Sequence, residues 1–290
     1  MKNSKHFIEH YSALDKKFNK CYRELLHSNE AENIHQLRVS LKKVKAFFHL
    51  LNYLYGNFHF NKMFREFKKI FDEAGKVRDV EVQLILLDSI EKEINLPLVN
   101  QRMRLQKNKK AKFNYLRNIL KRRSGFNKDV KSDIVKLLKR DFTFDKIKLY
   151  FIRESEELTG RLKKYNPQFK ELHHLRIHLK RYYYNLVLLN NFMPKNKLIT
   201  EHVDRLNKLQ EQLGKLHDSV SMLGVTGKFK TGKDFSATEM KSIRLMNVRL
   251  AKANKKQALK IRKHFHPLVV NLEMIKEGLL KPGNKIDLEW

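Results

Sequence analysis

Hydrophobic residues recur at intervals of three and four positions along nearly the whole chain. This spacing places apolar side chains on one face of an α-helix, whereas the two-residue alternation typical of a strand is not sustained anywhere. The pattern predicts helices at about 5–27, 32–54, 58–94, 98–123, 128–140, 143–164, 168–192, 197–223, 236–265 and 267–279. We therefore expect an all-α fold.

Glycine and proline residues separate these predicted helices. Helix ends are expected at Gly56, Pro97, Gly125, Pro167, Pro194, Pro267 and the loop from Gly224 to Gly232. Gly75 and Gly214 fall instead inside long helical patterns. We expect these two glycines to kink their helices.

Two blocks of sequence occur twice in the chain. Residues 34–43 (IHQLRVSLKK) align without gaps on residues 172–181 (LHHLRIHLKR), and five of the ten positions are identical. Gly75-Lys-Val-Arg-Asp79 aligns with Gly214-Lys-Leu-His-Asp218 at nearly the same offset. Such a coincidence indicates a tandem duplication, with repeat 1 over 1–140 and repeat 2 over 141–290. We expect two four-helix bundles related by pseudo-two-fold symmetry.

The charge of the chain is strongly basic, with 62 Lys and Arg against 31 Asp and Glu and a net charge of +31. So large an excess repels itself in a compact state unless an anionic partner offsets it. We expect that partner to be a polyanion: nucleic acid, an acidic membrane surface or polyphosphate.

Cysteine usage and hydropathy bear on the compartment. Cys21 is the only cysteine, which fits a reducing environment, and no apolar run approaches the ~20 residues that span a bilayer. We therefore expect a cytoplasmic protein without membrane insertion.

Each copy of the first repeated block carries a cationic face. On a helical wheel, one arc is polar and the opposite side is apolar. The arc residues are His35, Arg38, Lys42 and Lys45 in repeat 1, and His173, Arg176 and Lys180 in repeat 2. Tyr183 stands at the position of Lys45, while Lys43 and Arg181 lie to one side. A solvent-exposed surface without a function does not require His, Arg and Lys at matching positions of both blocks. We therefore predict that both arcs bind a ligand.

Further cations extend this predicted site. Arg78 and His217 precede Asp79 and Asp218, and we expect each Asp to hold a neighbouring cation by a charge-assisted hydrogen bond. The segment from 240 to 266 contains nine Lys or Arg and no acid, as the segment from 94 to 128 contains eleven. From the former we add Lys241, Arg244, Lys252 and Lys255, which share one helix side.

The pattern His-x-x-Arg-x-x-x-Lys at 35–42 and 173–180, with Arg-Asp at 78–79 and Leu-Gln-Glu-Gln-Leu-Gly at 209–214, resembles the CHAD family, the conserved histidine α-helical domain. The resemblance covers nearly the whole chain. It implies a single domain over 1–290, in which two four-helix bundles surround a basic central cavity. It also implies polyphosphate as the ligand and no catalysis by the domain itself. Tyr183 and the long 94–140 region depart from the family pattern and make the cavity less symmetric.

We therefore expect non-catalytic binding of inorganic polyphosphate by a cavity that both repeats line, without cofactor or metal, in the cytoplasm or at polyphosphate granules. Polyphosphate carries an anionic oxygen on every unit, and Arg, Lys and His are its natural ligands. His35 and His173 should gain protons beside it, so affinity should rise as pH falls. Polyphosphate chain length and oligomeric state stay open.

Three other functions compete with this one. A non-specific nucleic-acid binder would use Tyr182, Tyr183 and Tyr184 as stacking platforms. An enzyme that acts on phosphates would need clustered carboxylates, which the arcs lack. A metal site is disfavoured because His35 and His173 lie on different helices with no nearby carboxylate motif.

Overall fold

The computed structural model describes residues 2–28, 30–95, 97–122, 128–140, 143–164, 169–192, 197–227 and 235–280. Within them the chain forms ten α-helices, which confirms the all-α prediction. They are α1 (Lys2–His27), α2 (Ala31–Leu54), α3 (Phe60–Ile94), α4 (Val99–Lys121), α5 (Lys128–Leu138), α6 (Phe144–Lys163), α7 (Phe169–Phe192), α8 (Lys197–Thr226), α9 (Ala237–Arg262) and α10 (Phe265–Leu280).

Two helix boundaries differ from the predicted ones by two or three residues. α8 continues through Gly224 to Thr226, because its last turn is tied to α9 by a hydrogen bond from Thr226 Oγ1 to Asn247 Oδ1 (2.7 Å). Pro267 lies in the first turn of α10, where its missing N–H leaves no partner unsatisfied. Gly125, Pro167 and Pro194 lie outside the described residues.

The helices pack in two groups. In the first group α1 packs on α2, α2 on α3, α3 on α4, and α4 returns to α1. In the second group α6, α7, α8 and α9 pack in the same succession, but it is α10 that packs on α6. The groups meet where α2 packs on α7 and where α3 packs on α8 and α9. The polar faces of α2 and α7 are thereby brought together.

A core rich in aromatic side chains fixes α2 within its group. Phe48 is fully buried and its ring contacts those of Phe58 and Phe67, at centroid distances of 5.4 and 5.9 Å. Across the α2–α7 contact, the buried Asn185 donates a hydrogen bond from Nδ2 to the carbonyl oxygen of Ala46 (3.1 Å). A second, smaller apolar cluster joins α3 and α4 to α8 and α9. None of the described helices has the length and apolar character needed to cross a bilayer.

Candidate functional site

Arg38 of α2 is anchored on α3. Its Nη1 donates a hydrogen bond to the carbonyl oxygen of Phe71 (3.0 Å), and its guanidinium lies 4.9 Å from the centroid of the Phe71 ring. Lys42 follows four residues later and therefore lies on the same side of α2, about one turn further along. The side chain of Arg38 is thus held by the neighbouring helix before any ligand arrives.

Gly75 and Gly214 leave room for the arginines of the two repeats. A Cβ atom at Gly75 would overlap Nη1 of Arg38, and a Cβ atom at Gly214 would lie 3.4 Å from Nη2 of Arg176. Both glycines lie inside uninterrupted helices, α3 and α8. The interior of a helix disfavours Gly by about 1 kcal/mol relative to Ala. Their role is the close approach of a guanidinium, which the prediction of kinks did not anticipate.

Lys42 lies among cations from both repeats. Burial, and after it the positive charges of Lys180, Arg38, Arg176 and Arg78, lower the pKa of Lys42 to about 7. Since these charges act on one amine, the five side chains form a single group on α2, α3 and α7. We call Arg38, Lys42, Arg78, Arg176 and Lys180 the cationic cluster.

Lys180 is the counterpart of Lys42 in repeat 2. Burial and the charges of Arg176 and Arg38 lower its pKa to about 8, although Asp218 acts in the opposite direction. In the described part of the chain, neither lysine has a carboxylate within ion-pair distance. The two amines are therefore available to an anionic ligand.

Histidines flank the cationic cluster. His173 Nδ1 lies 3.4 Å from His217 Nε2, and His217 Nδ1 donates to Asp218 Oδ1 at 3.3 Å. Burial, followed by the charge of Arg78, lowers the pKa of His35. Burial and the neighbouring His217 lower that of His173. Both His35 and His173 are thus mostly uncharged at neutral pH in the free protein.

Arg78 is held by Glu81, one turn further along α3, and not by the adjacent Asp79. Arg78 Nη1 donates to Glu81 Oε2 at 3.2 Å. The buried Glu81 also forms an ion pair with Lys109 Nζ of α4, at 3.0 Å. Part of the basic segment after residue 94 therefore reaches the edge of the cluster, which the sequence alone did not reveal.

Of the other predicted site residues on α2 and α7, Arg181 and Lys43 point away from the cluster, whereas Lys45 lies near the Phe71 ring that also contacts Arg38. Arg181 donates from Nε and Nη2 to the two carboxylate oxygens of Glu154 on α6, at 2.9 and 3.1 Å. Lys43 is exposed, with Nζ 5.9 Å from the ring centroid of Tyr184. Lys45 Nζ lies 6.0 Å from the Phe71 ring, which places it against α3. One position along a helix turns a side chain by about 100°, so Lys43 and Arg181 diverge from Lys42 and Lys180.

The four predicted residues of α9 are not brought into the cluster. Lys241, Arg244, Lys252 and Lys255 are all exposed, on a helix that packs against α8 and α3. Within the described residues, no hydrogen bond or ion pair links them to the cluster. They form a separate basic surface.

A second group of titratable side chains lies between α6 and α7. Ligand atoms of Glu154, Glu157 and His178 lie within 4.8 Å of one another, as metal ligands do. Arg181 occupies both oxygens of Glu154, and a guanidinium opposes a cation at that place. The group is therefore an ion-pair network that joins α6 to α7.

Comparison with known proteins agrees with this fold. The family model described as the CHAD domain matches residues 12–225. The structure is similar to the crystal structure of the CHAD domain from the plant Ricinus communis, with a TM-score of 0.73, 16% identity and 91% of each chain covered. It is also similar to PptA from Streptomyces chartreusis, with a TM-score of 0.64, 14% identity, and 92% of this chain and 98% of that chain covered. No curated protein matches the sequence.

Proposed function

Because the chain belongs to the CHAD domain family, we propose that it binds inorganic polyphosphate at the cationic cluster and catalyses no reaction on it. One observation carries the proposal. Two lysines that have no carboxylate within ion-pair distance among the described residues lie among arginines from both repeats, so the folded chain concentrates positive charge at a single place. A chain of phosphates would bring one anionic oxygen after another to these cations and relieve their repulsion.

A shared site is the second element of the proposal. Arg38 lies against Gly75 and Arg176 against Gly214, so each repeat holds its arginine in a similar way. This likeness supports a duplication with pseudo-two-fold symmetry, in which two helical bundles, 1–140 and 141–290, line one basic cavity. Two small apolar pockets elsewhere in the molecule contain none of the cluster residues.

Nucleic acid is the less favoured ligand, and one of its three predicted stacking platforms is buried. Tyr182 is fully buried, with its hydroxyl group 3.1 Å from Ser155 Oγ. Tyr184 is half-buried beside Lys43. Tyr183 is also partly exposed, with its ring centroid 5.5 Å from that of Tyr184, so base stacking would rest on these two rings, whereas phosphates need only cations.

Competition between ligands tests this proposal. Labelled single-stranded or double-stranded nucleic acid is bound to the protein at physiological salt, and unlabelled polyphosphate is added at the same concentration of phosphate units. We expect polyphosphate to displace both. If nucleic acid instead displaces labelled polyphosphate at equal phosphate concentration, the proposed ligand is wrong.

A Gly75→Ala substitution should weaken polyphosphate binding several-fold without unfolding the protein. The new methyl group displaces the guanidinium of Arg38, so its hydrogen bond to the Phe71 carbonyl is lost. Because the end of an arginine can move, and because Ala favours a helix by about 1 kcal/mol, the free energy of unfolding should change little. Calorimetric titration and urea unfolding measure the two effects.

Gly160→Ala is the matched control for this substitution. Gly160 also lies in a helix, but no atom lies within 4 Å of its would-be Cβ. The control should bind polyphosphate like the wild type. Gly214→Ala should give a smaller loss than Gly75→Ala, because the contact at Gly214 is looser. Unchanged binding by the Gly75 variant contradicts a role for Arg38 in the position described.

A further inference from the structure

Helix α9 has a basic outer side that is separate from the cationic cluster. α9 packs on α8, α3 and α10, whereas the cluster residues lie on α2, α3 and α7. At 100° per residue, seven exposed side chains of α9 fall within an arc of about 100° and extend along about 27 Å of the helix. We call these seven side chains the outer face: Lys241, Leu245, Val248, Lys252, Lys255, Lys256 and Leu259.

Positive charge on the outer face is not neutralised by nearby acids. The sequence from 240 to 266 contains nine Lys or Arg and no Asp or Glu. Within the described residues, the lysines of the outer face form no ion pair, and the acid that α9 contacts lies at its edge, where Arg249 Nη1 is 3.7 Å from Glu93 Oε1 of α3. The lysines are therefore available to an anionic partner.

Three aliphatic side chains alternate with the lysines along the outer face. Val248 is 67% exposed, Leu259 57% and Leu245 54%. A single exposed apolar residue is ordinary at a protein surface. Three of them in one stripe, with lysines on both sides, offer a partner apolar contact and positive charge at the same place.

The opposite side of α9 is already occupied by the protein core. Ile243 and Met246 are buried in the apolar cluster that joins α9 to α3, α4 and α8. A capping box fixes the start of the helix, because Ser236 Oγ accepts from the backbone N–H of Glu239 (3.2 Å) and the backbone N–H of Ser236 donates to Glu239 Oε2 (2.6 Å). α9 is thus held in one orientation, and a partner meets its outer face.

The mixed chemistry of the outer face indicates which partner it fits. A second copy of the chain would bring the same positive charges and be repelled. Nucleic acid would pair its phosphates with the lysines but leave the aliphatic side chains in water. The two small pockets described above contain no residue of the outer face, so it offers a peptide no groove there. A bilayer with anionic phospholipids satisfies both features, since its headgroups attract lysine and the boundary of its acyl chains takes up aliphatic groups.

We propose that the outer face of α9 binds the surface of bilayers that contain anionic phospholipids. The helix lies in the plane of the membrane surface, and Leu245, Val248 and Leu259 enter the boundary between headgroups and acyl chains. The lysine stems run along this apolar layer while their amines reach the phosphates of the headgroups. The proposal goes beyond polyphosphate binding and does not require it, because the outer face and the cationic cluster share no residue.

Flotation with vesicles tests the contribution of charge. The full chain is mixed at physiological salt with vesicles of phosphatidylcholine that contain about one quarter phosphatidylglycerol, or with vesicles of phosphatidylcholine alone. We expect it to float with the anionic vesicles only. K252E/K256E should reduce the partition coefficient at least about tenfold, because each lysine near an anionic surface contributes about fivefold and each glutamate adds repulsion. K16E/K20E on α1 has the same change of charge and the same spacing, and should reduce it only slightly.

Serine substitution tests the contribution of the aliphatic side chains. L245S/V248S should reduce the partition into anionic vesicles by roughly fivefold, because two apolar groups no longer leave water. Binding of double-stranded DNA by the same variant should not change. The control is L149S/M274S, on α6 and α10, where the substituted side chains are 52% and 49% exposed and should not affect flotation. Since all four positions are exposed, both variants should keep the helical circular dichroism of the wild type.

Two results would overturn the proposal. If L245S/V248S floats like the wild type, the lysines alone bind the vesicles and the outer face is a general surface for polyanions. If R38E/K42E stops floating while K252E/K256E still floats, the vesicles bind at the cationic cluster instead. Polyphosphate is absent from these mixtures, so neither result depends on whether the protein binds it.

Discussion

We expect the double substitution R38E/K42E to weaken polyphosphate binding well over tenfold, and R176E/K180E to do the same. Each change replaces two cations of the shared cluster by anions, so the ligand loses attraction and meets repulsion from the same repeat. Removing one partner of a close charge pair at an interface often costs about 2–5 kcal/mol, and every 1.4 kcal/mol corresponds to tenfold in affinity. Calorimetric titration at physiological salt measures the loss.

The control for these variants is K16E/K20E on α1. Lys16 and Lys20 are both exposed and four residues apart, so this substitution changes net charge and helix spacing in the same way as R38E/K42E. We expect it to reduce affinity only slightly, through the general field of the protein. A folded R176E/K180E variant that binds like the wild type would show that repeat 2 is not part of the site.

Affinity for polyphosphate should fall by more than tenfold between pH 7 and pH 9. In the free protein, burial and the neighbouring cations lower the pKa of Lys42 to about 7 and that of Lys180 to about 8. A bound polyanion favours the charged amines and raises both pKa values, so the complex holds more protons than the free protein. Affinity is therefore highest below about pH 7 and falls as pH rises through the two free values. One pH unit corresponds to about tenfold in affinity for each amine that takes up a proton.

Arginine substitution tests whether these lysines cause the pH dependence. K42R/K180R keeps the positive charges but removes groups that titrate below pH 10, so affinity should become nearly constant from pH 7 to 9. The histidines are expected to affect the affinity only at lower pH, because burial and nearby cations keep the pKa values of His35 and His173 below the usual 6.5. An H35Q/H173Q variant should lose only the tightening below about pH 6.5. An unchanged slope in K42R/K180R contradicts the assignment to the lysines.

Local spacing explains why the helices could be predicted from the sequence. The apolar period gives α2 as 32–54 against the observed Ala31–Leu54, and α3 as 58–94 against Phe60–Ile94. The same spacing places Arg38 with Lys42, and Arg176 with Lys180, since residues four apart share a helix side. Joining the two pairs into one cluster depended on the repeated sequence block, because the match between 34–43 and 172–181 was the only signal that related the two distant segments.

Tertiary neighbours explain why the other features could not be predicted. A helical wheel shows on which side of α7 Arg181 lies. It does not show that Glu154 of α6 lies close enough to accept a hydrogen bond from Arg181. The wheel likewise cannot show that Glu81 would be buried between Arg78 and Lys109 of another helix. The low pKa of Lys42 arises from burial and from cations on α2, α3 and α7, so no local pattern encodes it.

Lys42 and Lys180, which have no carboxylate partner among the described residues, also make the stability of the fold depend on pH and on bound polyanions. Below about pH 7 the cluster is fully charged, so the burial of these charges and their mutual repulsion oppose the ligand-free fold. As pH rises above the folded pKa values of about 7 and 8, the folded amines lose their protons before the unfolded ones do, and stability is regained. A polyanion restores stability at lower pH by mass action, with about 2.7 kcal/mol gained at a hundred times its Kd. The amount of folded protein that escapes proteolysis would then rise and fall with the concentration of polyanion in the cell.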